Sequence, residues 1–152
     1  MAELTVRVDR LQAVSDEFVE AVARLLPQLS RSPVPSRDHL ARVVAHEANA
    51  VLVARDPTGT ILGMTTLVTF PLATGIRAWI HDVVVDEGAR GRGVGRALTE
   101  AAVAEAEWLG AWTVDLTTRP GREDANRLYE GTGFVRRETH VFRRGLQANP
   151  LR

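Results

Sequence analysis

The sequence predicts a mixed α/β fold, a central sheet of parallel and antiparallel strands with helices on both faces. Three observations predict it. Hydrophobic spacing alternates between strand and helix periods in the order β-α-α-β-β-β-α-β-α-β. The strands in the middle of the chain are joined by turns too short for a crossover, so they run antiparallel. A long amphipathic helix then separates the fourth strand from the fifth, as a parallel crossover requires.

Each element has a local reason. Thr5–Val8 reads as a short strand. Ser15 offers an N-cap, with Asp16 and Glu17 in the first turn where the helix dipole favours acid. Phe18, Val22, Leu25, Leu26 and Leu29 follow at helical spacing. Ser30–Pro35 is a proline-broken loop, and Ser36 caps a second helix with Leu40, Val43 and Val44 on one face. Ala50–Ala54 is a short apolar strand. Asp56-Pro57-Thr58-Gly59 is a turn, because proline presets φ and glycine accepts positive φ. Ile61–Phe70, rich in β-branched residues, is its hairpin partner. Ala78–Val85 is nearly all apolar at its end, as a strand buried on both faces would be. The next helix puts Val94, Ala97, Leu98, Ala101, Ala104 and Trp108 on one face and closes at Gly110. Trp112–Thr117 is a strand, Ala125–Glu130 a short helix, and Phe134–Phe142 a final strand.

Bulk composition narrows the function classes. The 152 residues suit a single domain over 1–152. Hydrophobic residues at 45% and charged residues at 25% are those of a soluble globular protein. Net charge is zero, so nothing marks the chain for nucleic acid or an anionic membrane. No apolar run approaches the roughly 20 residues of a membrane span. Met1–Asp9 does not read as a signal peptide, which makes the cytoplasm the expected compartment. The chain has no cysteine, which excludes disulfides, thiolate nucleophiles and Cys-ligated zinc. All 19 basic residues are arginine, so Schiff-base chemistry and a P-loop lysine are excluded too. That usage fits compositional drift in a GC-rich, bacterial-type genome. His39, His46 and His140 lack metal-ligand spacing with acidic partners, and no metal is expected.

The string Val83-Val84-Val85-Asp86-Glu87-Gly88-Ala89-Arg90-Gly91-Arg92-Gly93-Val94-Gly95-Arg96 carries the chemistry. A strand ends, three glycines alternate, and a helix begins at once. Glycine permits positive φ and close approach of a ligand to the backbone. The helix N-terminus offers unpaired N–H groups and a positive dipole end. Arg90, Arg92 and Arg96 add charge suited to phosphate. Together these describe a pyrophosphate cradle. The spacing differs from the G-x-G-x-x-G dinucleotide fingerprint, and the turn follows a fourth strand rather than a first.

Arg90, Gly93 and Gly95 match Gln/Arg-x-x-Gly-x-Gly/Ala, and Ala125–Phe134 matches Ala-x-x-Leu-Tyr-x-x-x-Gly-Phe. In this order the two strings resemble the signatures of the GCN5-related N-acetyltransferases. The resemblance covers about Ala78–Phe142. It implies a sheet of six to seven strands flanked by about four helices, with strands four and five splayed apart. It implies acetyl-CoA as cofactor and a primary amine, on a small molecule or a peptide, as acceptor, with direct transfer in a ternary complex. Main-chain groups of Val83, Val84 and Val85 would hold the pantetheine arm and polarise the thioester carbonyl. The amides of Arg90, Gly91, Arg92, Gly93, Val94, Gly95 and Arg96 would take the pyrophosphate.

The resemblance also assigns roles to side chains. Tyr129, the one tyrosine in the chain, matches the residue that contacts the CoA sulfur and acts as general acid. His81 and Asp82 stand where some relatives carry Glu-Asp, which makes them candidates for the base. Adjacent strand residues point to opposite faces, so both address one pocket only across a bulge. Arg122 stands where many members have an asparagine, and Asn126, one helical turn before Tyr129, is the substitute candidate. The last strand would offer an edge for a possible homodimer. An acyl-CoA-binding sensor or regulatory module with weak catalysis is the alternative, because His81 replaces the acidic residue.

Overall fold

The protein is described by a computed structural model over residues 2–147. One sheet carries five strands in sequential order: β1 (Arg7–Arg10), β2 (Asn49–Arg55), β3 (Ile61–Leu72), β4 (Gly75–Val85) and β5 (Thr113–Asp115). The first four are antiparallel neighbours, and β5 runs parallel to β4. The helices are α1 (Asp16–Leu25), α2 (Arg37–Ala45), α3 (Val94–Trp108) and α4 (Glu123–Gly131). Among the described residues no helix is long and apolar enough to cross a membrane.

The caps form as their side chains dictate. The Ser15 hydroxyl accepts from the Phe18 amide at 3.1 Å, and that of Ser36 from the His39 amide at 3.1 Å. The Asp56 carboxylate ties the β2–β3 turn by accepting from Thr58 and Thr60 amides, while Gly59 takes φ +91°.

Each face of the sheet has its own core. On one side α1 and α2 bury Phe18, Val22, Leu25 and Leu40 against Val51, Val53, Met64 and Val84. On the other, α3 packs Val94, Leu98, Ala102 and Ala106 against Leu52, Leu67, Ala78 and Ile80. Each of the larger side chains contributes about 1.5–3 kcal/mol on burial. The buried stripe of α3 follows an i+4 ridge, and Ala104 and Trp108 lie outside it, Trp108 being 84% exposed. The small Ala102 and Ala106 let the helix approach the sheet closely, and a tryptophan in that seam would hold it off.

Three strands differ from expectation. β1 runs over Arg7–Arg10, where it pairs with Leu52–Arg55 of β2, rather than over Thr5–Val8. β5 is shorter than Trp112–Thr117, and no strand forms over Phe134–Phe142, so the sheet has five strands rather than six or seven. Gly133, at φ +95°, turns the chain away from α4. Phe134 packs edge-on against Tyr129, at 5.9 Å between ring centroids, and Val135, Val141 and Phe142 beyond it are exposed. A three-residue β5 offers too short a ladder for a long partner. The edge expected to pair with a second copy is therefore not formed.

The placement of β5 makes the site. Its pairing with β4 begins at Arg77–Thr113 and ends at Trp79–Asp115. Beyond that point β4 continues to Val85 with β3 on one side and, among the described residues, no strand on the other. β5 stops there, and one edge of β4 is left open.

Candidate active site

Three chain segments converge beside the open edge of β4. A cleft of about 1070 Å³ is lined by Val83, Val84 and Val85 of β4, by the turn at Arg90, Gly91, Gly93, Val94, Gly95 and Arg96, and by Gly121–Ala125, Leu128 and Tyr129 at α4. Pockets for drug-sized ligands run to roughly 1,000 Å³. This one is open, and Gln28 and Leu29, which follow α1, also line it.

The glycines of the turn do separate jobs. Gly91 and Gly93 have φ of +72° and +89°, and Gly93 is the N-cap of α3. The chain can thus reverse and present α3's first amides within two residues. A Cβ on Gly95 would lie 3.2 Å from the Leu128 side chain, so Gly95 allows α3 to meet α4 closely. Arg90 donates to the Val85 carbonyl at 3.1 Å and fixes the turn to the end of β4. Arg96 pairs with Glu100 at 3.1 Å. Arg92 faces elsewhere. Its guanidinium donates to the Ala2 carbonyl at 3.1 Å, its carbonyl accepts from the Leu4 amide at 2.8 Å, and it does not line the cleft.

Tyr129 is half-buried on α4, and burial raises its phenol above the usual 10.0, against the pull of the Arg122 guanidinium. It keeps its proton at neutral pH. Asn126 does not line the cleft; its side-chain oxygen accepts from the Thr118 hydroxyl at 2.6 Å and so ties α4 to the preceding loop.

A bulge separates His81 from Val84. Thr66 is registered with His81 and Met64 with Val84, so Asp82 and Val83 together oppose Thr65. Asp82 has φ +53°, and the fully buried Thr65 donates its hydroxyl to the His81 carbonyl at 2.9 Å. The extra residue reverses the alternation. Ile80 faces α3, as do Val83 and Val85, while Val84 faces α1. His81, exposed, stacks on Trp79 with ring centroids 6.0 Å apart. Neither His81 nor Asp82 lines the cleft.

The sequence pattern of the acetyltransferase (GNAT) family matches residues 15–134. The chain belongs to the acetyltransferase (GNAT) family. It is 31% identical to a glucosamine 6-phosphate N-acetyltransferase of Trypanosoma brucei brucei, over 86% of this chain and 92% of that protein. It is 33% identical to a mycothiol acetyltransferase of Propionibacterium freudenreichii over 55% of its own length, but spans only 27% of that relative. An aminoglycoside acetyltransferase from an uncultured soil metagenomic sample, solved in complex with sisomicin, shares the fold with a TM-score of 0.80 at 20% identity, over 93% of this chain and 97% of that one.

In this GNAT chain the cleft has walls that motif reading misses. The Gln28 side-chain oxygen accepts from the Glu87 amide at 2.9 Å and from Arg90 at 3.4 Å, joining the end of α1 to the glycine turn. Nothing in the spacing around Gln28 marks it, because it acts across 59 residues. Thr65 is equally silent in sequence, one β-branched residue among several in β3.

Proposed function

We propose that the chain is an acetyl-CoA-dependent N-acetyltransferase that acts on a primary amine in a ternary complex. One observation carries the reading. A single cleft joins the glycine turn, the open edge of β4 and the Tyr129 side chain. These are an anion cradle, a row of backbone hydrogen-bonding groups and a proton donor.

The residues fit such a donor. The first amides of α3, with Arg90 and Arg96 beside them, would hold its pyrophosphate. The open edge at Val83–Val85 would pair with its amide-bearing arm, as an added strand does. Acetyl-CoA supplies an activated acetyl group. A β4 amide in the opened segment polarises a carbonyl laid against it. Tyr129 holds a proton at its phenolic oxygen and delivers it to a departing thiolate. His81 or Asp82 takes the proton of the acceptor amine, directly or through water.

Because His81 and Asp82 lie off the cleft walls, a sensor with weak catalysis is the second reading. Calorimetry with acetyl-CoA, followed by free-thiol release over a panel of amines, decides. Binding with turnover is expected. Binding without turnover on any amine supports the sensor, and failure to bind removes both readings.

A further inference from the structure

A second hollow, of about 620 Å³, opens beside the cleft and is lined by Pro27, Gln28, Leu29, Ser30, Arg31 and Arg119. Gln28 and Leu29 line both spaces, so the two are contiguous. Arg31 comes from the loop between α1 and α2, and Arg119 from the loop between β5 and α4. Two loops far apart in sequence thus bring an arginine each to one concavity, with no acidic residue in its wall.

Among the described residues neither guanidinium has a hydrogen-bond or ion-pair partner, whereas eight other arginines pair with carboxylates. Like charges facing one hollow repel, and an anion between them relieves that repulsion. Arginine suits the task because its planar fork matches phosphate and carboxylate oxygens. The arginines that serve the glycine turn, Arg90 and Arg96, line the main cleft, and Arg31 and Arg119 do not. The α1–α2 loop also belongs to the sheet face on which Trp79 and His81 are presented, opposite Ala78 and Ile80.

We infer that Arg31 and Arg119 form an anion subsite for the acceptor, so that the amine this protein acetylates carries a phosphate or carboxylate group. The inference rests on the proposed acetyl transfer and adds the acceptor's charge to it. Polycationic amines are expected to be poor ligands.

The test is calorimetry on the full chain saturated with CoA, using two matched pairs: glucosamine 6-phosphate with glucosamine, and β-alanine with propylamine. The member of at least one pair that carries the phosphate or carboxylate should bind 10-fold or more tightly than the member that lacks it, because hydrogen bonds between arginine and such anions are charge-assisted. Which pair responds tells phosphate from carboxylate. The double variant R31Q/R119Q should erase that difference and leave acetyl-CoA affinity unchanged. Equal affinity within both pairs, including no binding by any, overturns the inference, as does a preference that survives in the variant. An equal loss of acetyl-CoA affinity in the variant also overturns it, by giving the arginines to the donor's phosphates. Acetyl-CoA binding by the unaltered protein is read separately, so failure of the proposed function is distinguishable.

Discussion

The two edges of β4 have opposite fates. Toward β3 it is registered from Gly75 to Val85, and the ladder is interrupted at one bulge. Toward β5 it is paired at Arg77, Ala78 and Trp79, and then the neighbour ends. The closed edge satisfies the backbone and anchors the strand between two apolar cores. The open edge leaves backbone groups beside the cleft that Val83, Val84 and Val85 line. One strand therefore has one edge held in the sheet and one edge facing the cleft. Substitutions on the β3 side should be read in stability, and those on the β5 side in affinity and rate.

The largest effect is expected at the turn that closes the open side. In Gly93→Val a β-branched residue must adopt φ +89°, with its Cβ 2.9 Å from the Glu3 side chain. Glu3 can swing aside, but the backbone cannot keep this conformation without strain of about 1–2 kcal/mol or more. The amides of α3 are then displaced from a common focus. Acetyl-CoA affinity should fall at least 100-fold while circular dichroism still reports a folded chain. Unchanged affinity would detach the turn from the cleft's function and break the comparison.

Tyr129→Phe comes next and separates rate from binding. It removes one oxygen and keeps the ring that packs on Phe134. The kcat should fall about 100-fold, as loss of a general acid does, with acetyl-CoA affinity within about twofold. Equal losses in both would make Tyr129 a binding residue. The pH profile gives the sign. Burial raises the phenol above 10.0, so the proton is present through neutrality and lost only at higher pH. The unaltered enzyme should show a falling alkaline limb above that value, and the variant should lack it. Stability follows the same linkage. Between the unfolded and folded pKa values the folded chain holds the extra proton, so the tyrosine's contribution declines as pH rises through that window.

The sequence is legible where a local cause suffices. Ser15 and Ser36 cap the helices they precede because each needs only an amide three residues on. The glycine turn is legible for the same reason, since positive φ, a helix start and neighbouring arginines are all local. The face of α3 is less so. With alanine at 97, 101, 102, 104 and 106, helical spacing alone admits more than one apolar stripe. Sheet distance selects Ala102 and Ala106. Phe134–Phe142 reads as a strand from its aromatic and β-branched ends, but a strand requires a neighbour, and the length of β5 is set by tertiary packing. Gln28 in the cleft wall and Arg31 beside Arg119 are invisible for a related reason, because each acts on a segment distant in the chain.

The smallest effect, and the one that joins the two edges, is at Thr65. Its hydroxyl is fully buried and donates to the His81 carbonyl at the bulge. Thr65→Val keeps the shape and removes the donor, so the His81 carbonyl loses this partner at a cost of about 0.5–1.5 kcal/mol. For a chain of this size each kcal/mol lowers Tm by about 2–4 °C. Thr65→Ser keeps the donor and should lose less. The expected result goes beyond stability. Asp82 holds φ +53° because the ladder is offset beside it. Without the Thr65 bond the bulge can relax toward regular pairing, and a one-residue slip would return Val83–Val85 to the opposite faces. Acetyl-CoA affinity should therefore fall several-fold in Thr65→Val and recover in Thr65→Ser, a pattern that general destabilisation does not give when binding is measured well below Tm. A loss of stability with affinity untouched would show that the closed edge holds the fold without setting the geometry of the open one.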